Sequence, residues 1–261
     1  MLELGLKGKV AIVTGGSEGL GRATAERFAR EGVRVAICAR RKDVLEQTAE
    51  AIRRATGGEI LAQPADVTRP DEVEGFVRAV VGRFGGVDIL VNNAGTSAAA
   101  GFEKVDDATW QTDFDLKLMA AVRFCRLVIP IMKQRGGGRI VNVTTVGGKA
   151  PRPQALPTSV TRAAGINLTK SLALEYAADR ILVNTVCLGM AKSVQLARRA
   201  KDGDLEAHWR ELGKRVPVGR LGEPEEFADL VAFLVSERAG YITGSAVNFD
   251  GGACELRRRG V

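Results

Sequence analysis

Aromatic side chains are scarce: 5% of the 261 residues, with two tryptophans, two tyrosines and a single histidine. Cysteine is scarce too. Cys38, Cys125, Cys187 and Cys254 lie far apart, show no metal-ligand spacing, and three of them sit in apolar strand or helix contexts. That pattern argues against a disulfide framework or a metal centre and suits a reducing cytoplasm. No run of about 18 apolar residues occurs, which excludes a membrane-spanning helix, and Met1 to Lys9 lacks the apolar core of a signal peptide. The formal net charge of +7 is spread over helical segments, with one short run at Arg257 to Arg259. Such dispersed charge reads as solvated faces and a tail, not as a nucleic-acid surface. It also suits an anionic cofactor or substrate.

Glycine and alternation are what the chain does have. Val10 to Val13 reads as a buried strand that breaks into Gly15, Gly16, Gly19 and Gly21 and then into a helix from Arg22 to Glu31. Strand, glycine turn and helix N-terminus together form a phosphate-holding device: the backbone can approach the ligand, and free N–H groups with the positive end of the helix dipole face it. Strand and helix patterns then alternate to the end of the chain. Strands are expected over Val33 to Cys38, Ile60 to Gln63, Val87 to Val91, Arg139 to Val143, Ile181 to Cys187 and Ala246 to Phe249. Helices are expected over Asp43 to Ala55, Pro70 to Phe84, Asp106 to Arg135 with a bend or break at Pro130, Thr158 to Ala177, Ser193 to Glu211 and Pro224 to Val235. The helix at Thr158 is apolar all round, as in a helix packed on both sides. The alternation implies one α/β domain over 1–261, a Rossmann-type doubly wound parallel sheet with helices on both faces and a ligand at the carboxyl ends of the strands.

The motifs T-G-G-S-E-G-L-G at 14–21, A-D-V at 65–67, N-N-A-G at 92–95, I-V-N-V at 140–143 and D-G-G at 250–252 resemble those of the short-chain dehydrogenase/reductase family. The resemblance runs from about Gly8 to Gly252. It implies that Gly15, Ser17, Glu18, Gly19, Leu20 and Gly21 line a dinucleotide pyrophosphate, that Asp66 and Val67 sit at the adenine, and that Asn93, Ala94 and Gly95 form the turn beneath the cofactor. Gly189 and Ser193 fall where the carboxamide pocket is expected, although Leu188 replaces the usual proline. The second strand ends in Arg40-Arg41, where a carboxylate would read a free ribose hydroxyl. Arginine pairs with a 2′-phosphate, so the resemblance implies NADP over NAD, with Glu18 as a mild counter-argument.

The family's proton-transfer residues are replaced. The resemblance places Thr145 at the serine position, Thr158 at the tyrosine position, Arg162 at the lysine position and Lys117 at the asparagine position. Threonine keeps a hydroxyl but is far less acidic than a phenol, and arginine at 162 keeps the charge and can bind the nicotinamide ribose but is too basic to be the acid. Lys117 adds a titratable group whose pKa burial and Arg162 would lower, making it a replacement acid or base. Tyr176 and Tyr241 lie too far along the chain to fill the gap, His208 reads as a surface residue, and Lys149 and Lys192 are further candidates near the site. Two readings follow. One is an oxidoreductase of altered mechanism acting on a carbonyl or hydroxyl of a small molecule. The other is an inactive cofactor-binding subunit paired with an active relative. The resemblance implies a homo-oligomer, dimer or tetramer, joined through Ala120 to Val128 and Ala163 to Ala173, and a substrate lid at about 190–216.

Overall fold

In the computed structural model, residues 3–197, 200 and 204–256 are described; the arginine run at 257–259 and five residues of the expected lid lie outside them. Seven strands form one sheet: β1 Val10–Thr14, β2 Arg34–Ala39, β3 Ile60–Pro64, β4 Ile89–Asn92, β5 Gly138–Thr145, β6 Ile181–Leu188 and β7 Ala246–Phe249. The order is β3-β2-β1-β4-β5-β6-β7 and every pairing is parallel. The chain reverses its direction of winding between β1 and β4, the place where such sheets open a crevice.

The helices are α1 Gly19–Arg30, α2 Lys42–Thr56, α3 Pro70–Phe84, α4 Asp107–Phe114, α5 Ala120–Gln134, α6 Thr158–Tyr176, α7 Val194–Ala197, α8 Leu205–Gly213, α9 Pro224–Val235 and α10 Ala253–Leu256. Side chains of one strand alternate between two cores, as the two-residue period requires. Ala11 and Val13 face the core under α1, α2 and α9. Val10 and Ile12 face the core under α3 and α5. Local chemistry sets the helix ends. Pro70 opens α3, and Gly57 and Gly85 close α2 and α3 in the left-handed conformation, at φ of 69° and 81°.

Three expectations are corrected. Pro130 does not break its helix, which continues to Gln134. Pro130 and Arg126, whose carbonyl loses its helical partner, both lie on the exposed side, open to solvent. A separate irregularity lies earlier, a π-helical turn over Asp115–Met119 joining α4 to α5. Within this chain, α6 packs on one side only: Thr161, Gly165 and Thr169 are buried, whereas Leu174 is 86% exposed. The charged segment from Ser193 divides into α7 and α8.

Candidate active site

The phosphate loop lies between β1 and α1. Gly15 and Gly19 have φ of +65° and +53°, which L side chains rarely adopt. A Cβ on Gly16 would stand 2.6 Å from Ile37, and one on Gly21 would stand 2.2 Å from the Gly15 carbonyl oxygen. A Cβ on Gly19 would meet nothing within 4 Å, so the space over the helix start is open. Glu18, the N-cap of α1, makes no side-chain capping bond, which leaves the first N–H groups facing that space. The N-N-A-G turn braces the loop from below. Asn93 Nδ2 donates to the Thr14 carbonyl (2.9 Å), and Thr14 Oγ1 accepts from the N–H groups of Asn93 and Ala94, both at 3.0 Å.

The other expected cofactor residues also follow strand ends. Arg40 and Arg41 are exposed beyond β2, and Arg41 is ion-paired with Glu18. Asp66 turns the chain after β3 by accepting from the Thr68 N–H (2.9 Å) and hydroxyl (2.8 Å), and Val67 is buried beside it. Gly95 closes the turn after β4, so near Arg162 that a Cβ there would stand 2.5 Å from Nη2. Gly189 follows β6 and bonds β7 through the Phe249 carbonyl (2.9 Å). Ser193 precedes α7 and accepts from the Leu196 N–H (3.3 Å).

Three of the four expected chemical residues meet in one buried cluster. The π-helical turn carries Lys117, whose side chain is fully withdrawn from solvent. Its Nζ donates to Thr158 Oγ1 at the start of α6 (2.8 Å) and is ion-paired with Asp113 of α4. Asp113 is 3% exposed and its second oxygen accepts from the Thr161 hydroxyl (2.7 Å). Thr158 Oγ1 also accepts from the Ala98 N–H (3.1 Å). With Oγ1 accepting twice, the Thr158 proton is committed to neither contact. One turn along α6, Arg162 Nη1 donates to the Val143 carbonyl (2.7 Å), while its buried Nε has no partner among the described residues. Desolvation pushes Lys117 down to about 8, with the Arg162 charge adding to the fall and Asp113 opposing it. Desolvation likewise lowers Arg162, to about 10, against the pull of Asp113.

Thr145 ends β5 opposite Leu188 and is half-buried, outside this hydrogen-bonded cluster. The remaining candidates are engaged elsewhere. Lys149 donates to Asn248 Oδ1 (2.6 Å), Lys192 pairs with Glu223 (2.8 Å), and His208 bonds the Leu196 carbonyl (3.1 Å), tying α8 to α7. Tyr176 closes α6, about 27 Å of helix rise from Thr158, with Lys133 over its ring at 5.0 Å. Tyr241 is wholly exposed before the amino end of β7. Neither tyrosine approaches the cluster. Sequence reading missed Asp113. The signal was its place four residues before Lys117, the spacing of an intrahelical ion pair.

An open glycine cradle at the switch point of a parallel sheet defines a dinucleotide-binding α/β protein. The family model for enoyl-(acyl carrier protein) reductase matches residues 15–254. A putative ketoacyl reductase of Streptomyces coelicolor is 36% identical over 252 residues, covering 94% of this chain and 96% of that protein. A 3alpha-hydroxysteroid dehydrogenase of Mediterraneibacter gnavus is 34% identical over 249 residues, covering 95% and 98%. The crystal structure of L-sorbose reductase from Gluconobacter frateurii, complexed with NADPH and L-sorbose, superposes with a TM-score of 0.93 at 36% identity, covering 97% of this chain and 99% of that one. The chain belongs to the short-chain dehydrogenase/reductase family and is an oxidoreductase by kinship.

Proposed function

We propose that this protein is an NADP(H)-dependent oxidoreductase that interconverts a carbonyl and a hydroxyl on a small molecule, with Lys117 and Thr158 as its proton relay. The carrying observation is the Lys117 Nζ to Thr158 Oγ1 hydrogen bond, 2.8 Å long, backed by a buried carboxylate. A reduced nicotinamide, when bound, supplies hydride to a carbonyl carbon. The glycine loop and the N-terminus of α1 would hold its pyrophosphate, with Ser17, Leu20 and the Asn93–Gly95 turn around it. The free face of Arg162 suits its ribose hydroxyls, and Arg40 and Arg41 suit a 2′-phosphate.

The residues of the chain then handle the proton. Thr158 passes its hydroxyl proton to the alkoxide oxygen and takes one from the Lys117 ammonium along the bond they already share. Lys117 is left neutral, a form that its surroundings favour compared with an ordinary lysine. Asp113 holds the ammonium in line, and Arg162 and the Thr145 hydroxyl stabilise the oxyanion. A relay of this kind resolves the weakness of threonine as an acid, because the proton lost by Thr158 is replaced as it leaves.

The test is to incubate the protein with NADPH and a panel of ketones, quinones and acyl thioesters and follow NADPH absorbance. Turnover by the native protein that falls at least a hundredfold in Lys117→Met and in Thr158→Val, with NADPH affinity retained, supports the relay. NADPH binding without turnover on any of them, alone but not with an active relative, supports an inactive partner subunit instead. Assembly with a second copy through α5 and α6 is supported by the uncovered Leu174 and by Val160, which is 42% exposed. A cytoplasmic setting is supported by four free cysteines, and no helix among the described residues is long and apolar enough to cross a membrane.

A further inference from the structure

Glu18 and Arg41 face each other across the groove between two helix starts. Glu18 is the N-cap of α1 and Arg41 the N-cap of α2. The backbone holds the two segments together. The Gly15 and Gly16 N–H groups both donate to the Cys38 carbonyl, at 2.9 and 3.2 Å. The Thr48 hydroxyl of α2 donates to the Ser17 carbonyl (2.7 Å). Two side chains 23 residues apart are thereby brought into an ion pair between Arg41 Nη2 and Glu18 Oε2. They remain 51% and 36% exposed, so solvent screens the pair and it contributes little to stability. Its place gives it a different significance. The stretch just beyond the second strand of such a sheet faces the adenosine ribose, where a carboxylate accepts from a free 2′-hydroxyl and an arginine accommodates a 2′-phosphate. Here one group of each kind is present, and they neutralise each other.

We infer that Glu18 sets the cofactor preference of this site: its carboxylate occupies Arg41 in the manner of a 2′-phosphate and must be displaced before a 2′-phosphorylated dinucleotide is held. For a dinucleotide with a free 2′-hydroxyl, Glu18 stays in place and offers an acceptor. The consequence is a preference for NADPH over NADH that is narrower than two arginines alone would give. The inference rests on the NADP reading above and concerns only how strongly that preference is expressed.

The experiment is calorimetric binding of NADPH, NADH, 2′,5′-ADP and 5′-AMP to the native protein and to Glu18→Gln, Arg41→Ala and the double variant. Glu18→Gln is expected to tighten NADPH and 2′,5′-ADP by about five- to tenfold, from release of Arg41 and loss of like-charge repulsion. NADH and 5′-AMP are expected to hold or weaken. Arg41→Ala is expected to weaken the two phosphorylated ligands and to remove most of the gain from Glu18→Gln. An unchanged NADPH to NADH affinity ratio in Glu18→Gln overturns the inference while leaving the NADP reading intact. A gain of the same size without Arg41 also overturns it, since the carboxylate would then act as a general negative charge and not through the arginine. A native protein that prefers 5′-AMP to 2′,5′-ADP overturns both.

Discussion

Lys117 and Thr158, 41 residues apart in sequence, share a 2.8 Å hydrogen bond inside the molecule. A lysine four residues from a buried aspartate is a helix feature. This lysine also reaches a hydroxyl at the start of another helix, so one amine ties α4, the π-helical turn and α6 together.

The pH dependence follows from the lowered Lys117 pKa. Reduction needs the ammonium form, so its rate should be level below pH 8 and fall as the pH rises through about 8. Oxidation of the alcohol needs the neutral amine and should rise over the same interval. Rate profiles in both directions check this. Parallel profiles, with no limb near 8, would remove Lys117 from the relay.

Stability should respond in a related way. The folded pKa of Lys117 lies below its ordinary value of 10.5. Between about pH 8 and 10.5 the unfolded chain therefore binds more protons than the native one, and this group makes the fold more stable as pH rises through that window. Denaturant melts of the native protein and of a variant lacking both Lys117 and Asp113 should diverge there.

Removing Lys117 alone leaves the Asp113 carboxylate without its cation. Lys117→Met should cost about 3–5 kcal/mol, whereas Lys117→Met combined with Asp113→Leu should be close to neutral. Urea titration distinguishes the two. Equal losses in both variants would show that Asp113 does not depend on the ammonium.

Gly21→Ala should be severe for a different reason. Its Cβ would fall 2.2 Å from the Gly15 carbonyl oxygen, a backbone atom that cannot swing aside. The loop must open, so dinucleotide affinity should drop at least tenfold. Gly19→Ala meets no atom but adopts a strained positive φ, which predicts a milder loss of about 1 kcal/mol. Calorimetric binding of NADPH to both variants tests the ranking.

A buried polar chain runs from Asn92 of β4 through Asn142 of β5 to Thr169 of α6. Thr169→Val leaves Asn142 Nδ2 unpaired where water cannot reach it and should cost about 1–3 kcal/mol, read from the denaturation midpoint. An unchanged midpoint would mean that a new partner had been found.

The parts of the fold written in local chemistry are legible in the sequence. Apolar four-residue runs, Pro70 ahead of a helix and Gly57 and Gly85 behind two others are short-range signals, and the glycine loop is another. Lys117, Thr158 and Arg162 were placed by resemblance, and the structure gathers them. The illegible features depend on distant chain. Asp113 is marked as a site residue only by Thr161 and Lys117, which enclose it in the fold. Lys149 and Lys192 stand as candidates in the sequence because their partners, Asn248 and Glu223, are remote along the chain. The π-helical turn left no mark, since its residues suit an α-helix equally well.

That turn, Asp115–Met119, also governs where the Lys117 amine sits relative to Thr158. A π turn takes one more residue to climb its span than α-helical winding does, which offsets every later side chain by about 100°. The aim of Lys117 toward Thr158 thus depends on how many residues are wound into the bend as well as on which residue stands there. Grafting a lysine onto the same place in a relative with a straight helix would copy the amine and lose its bearing, and deleting one residue here would do the same to this protein.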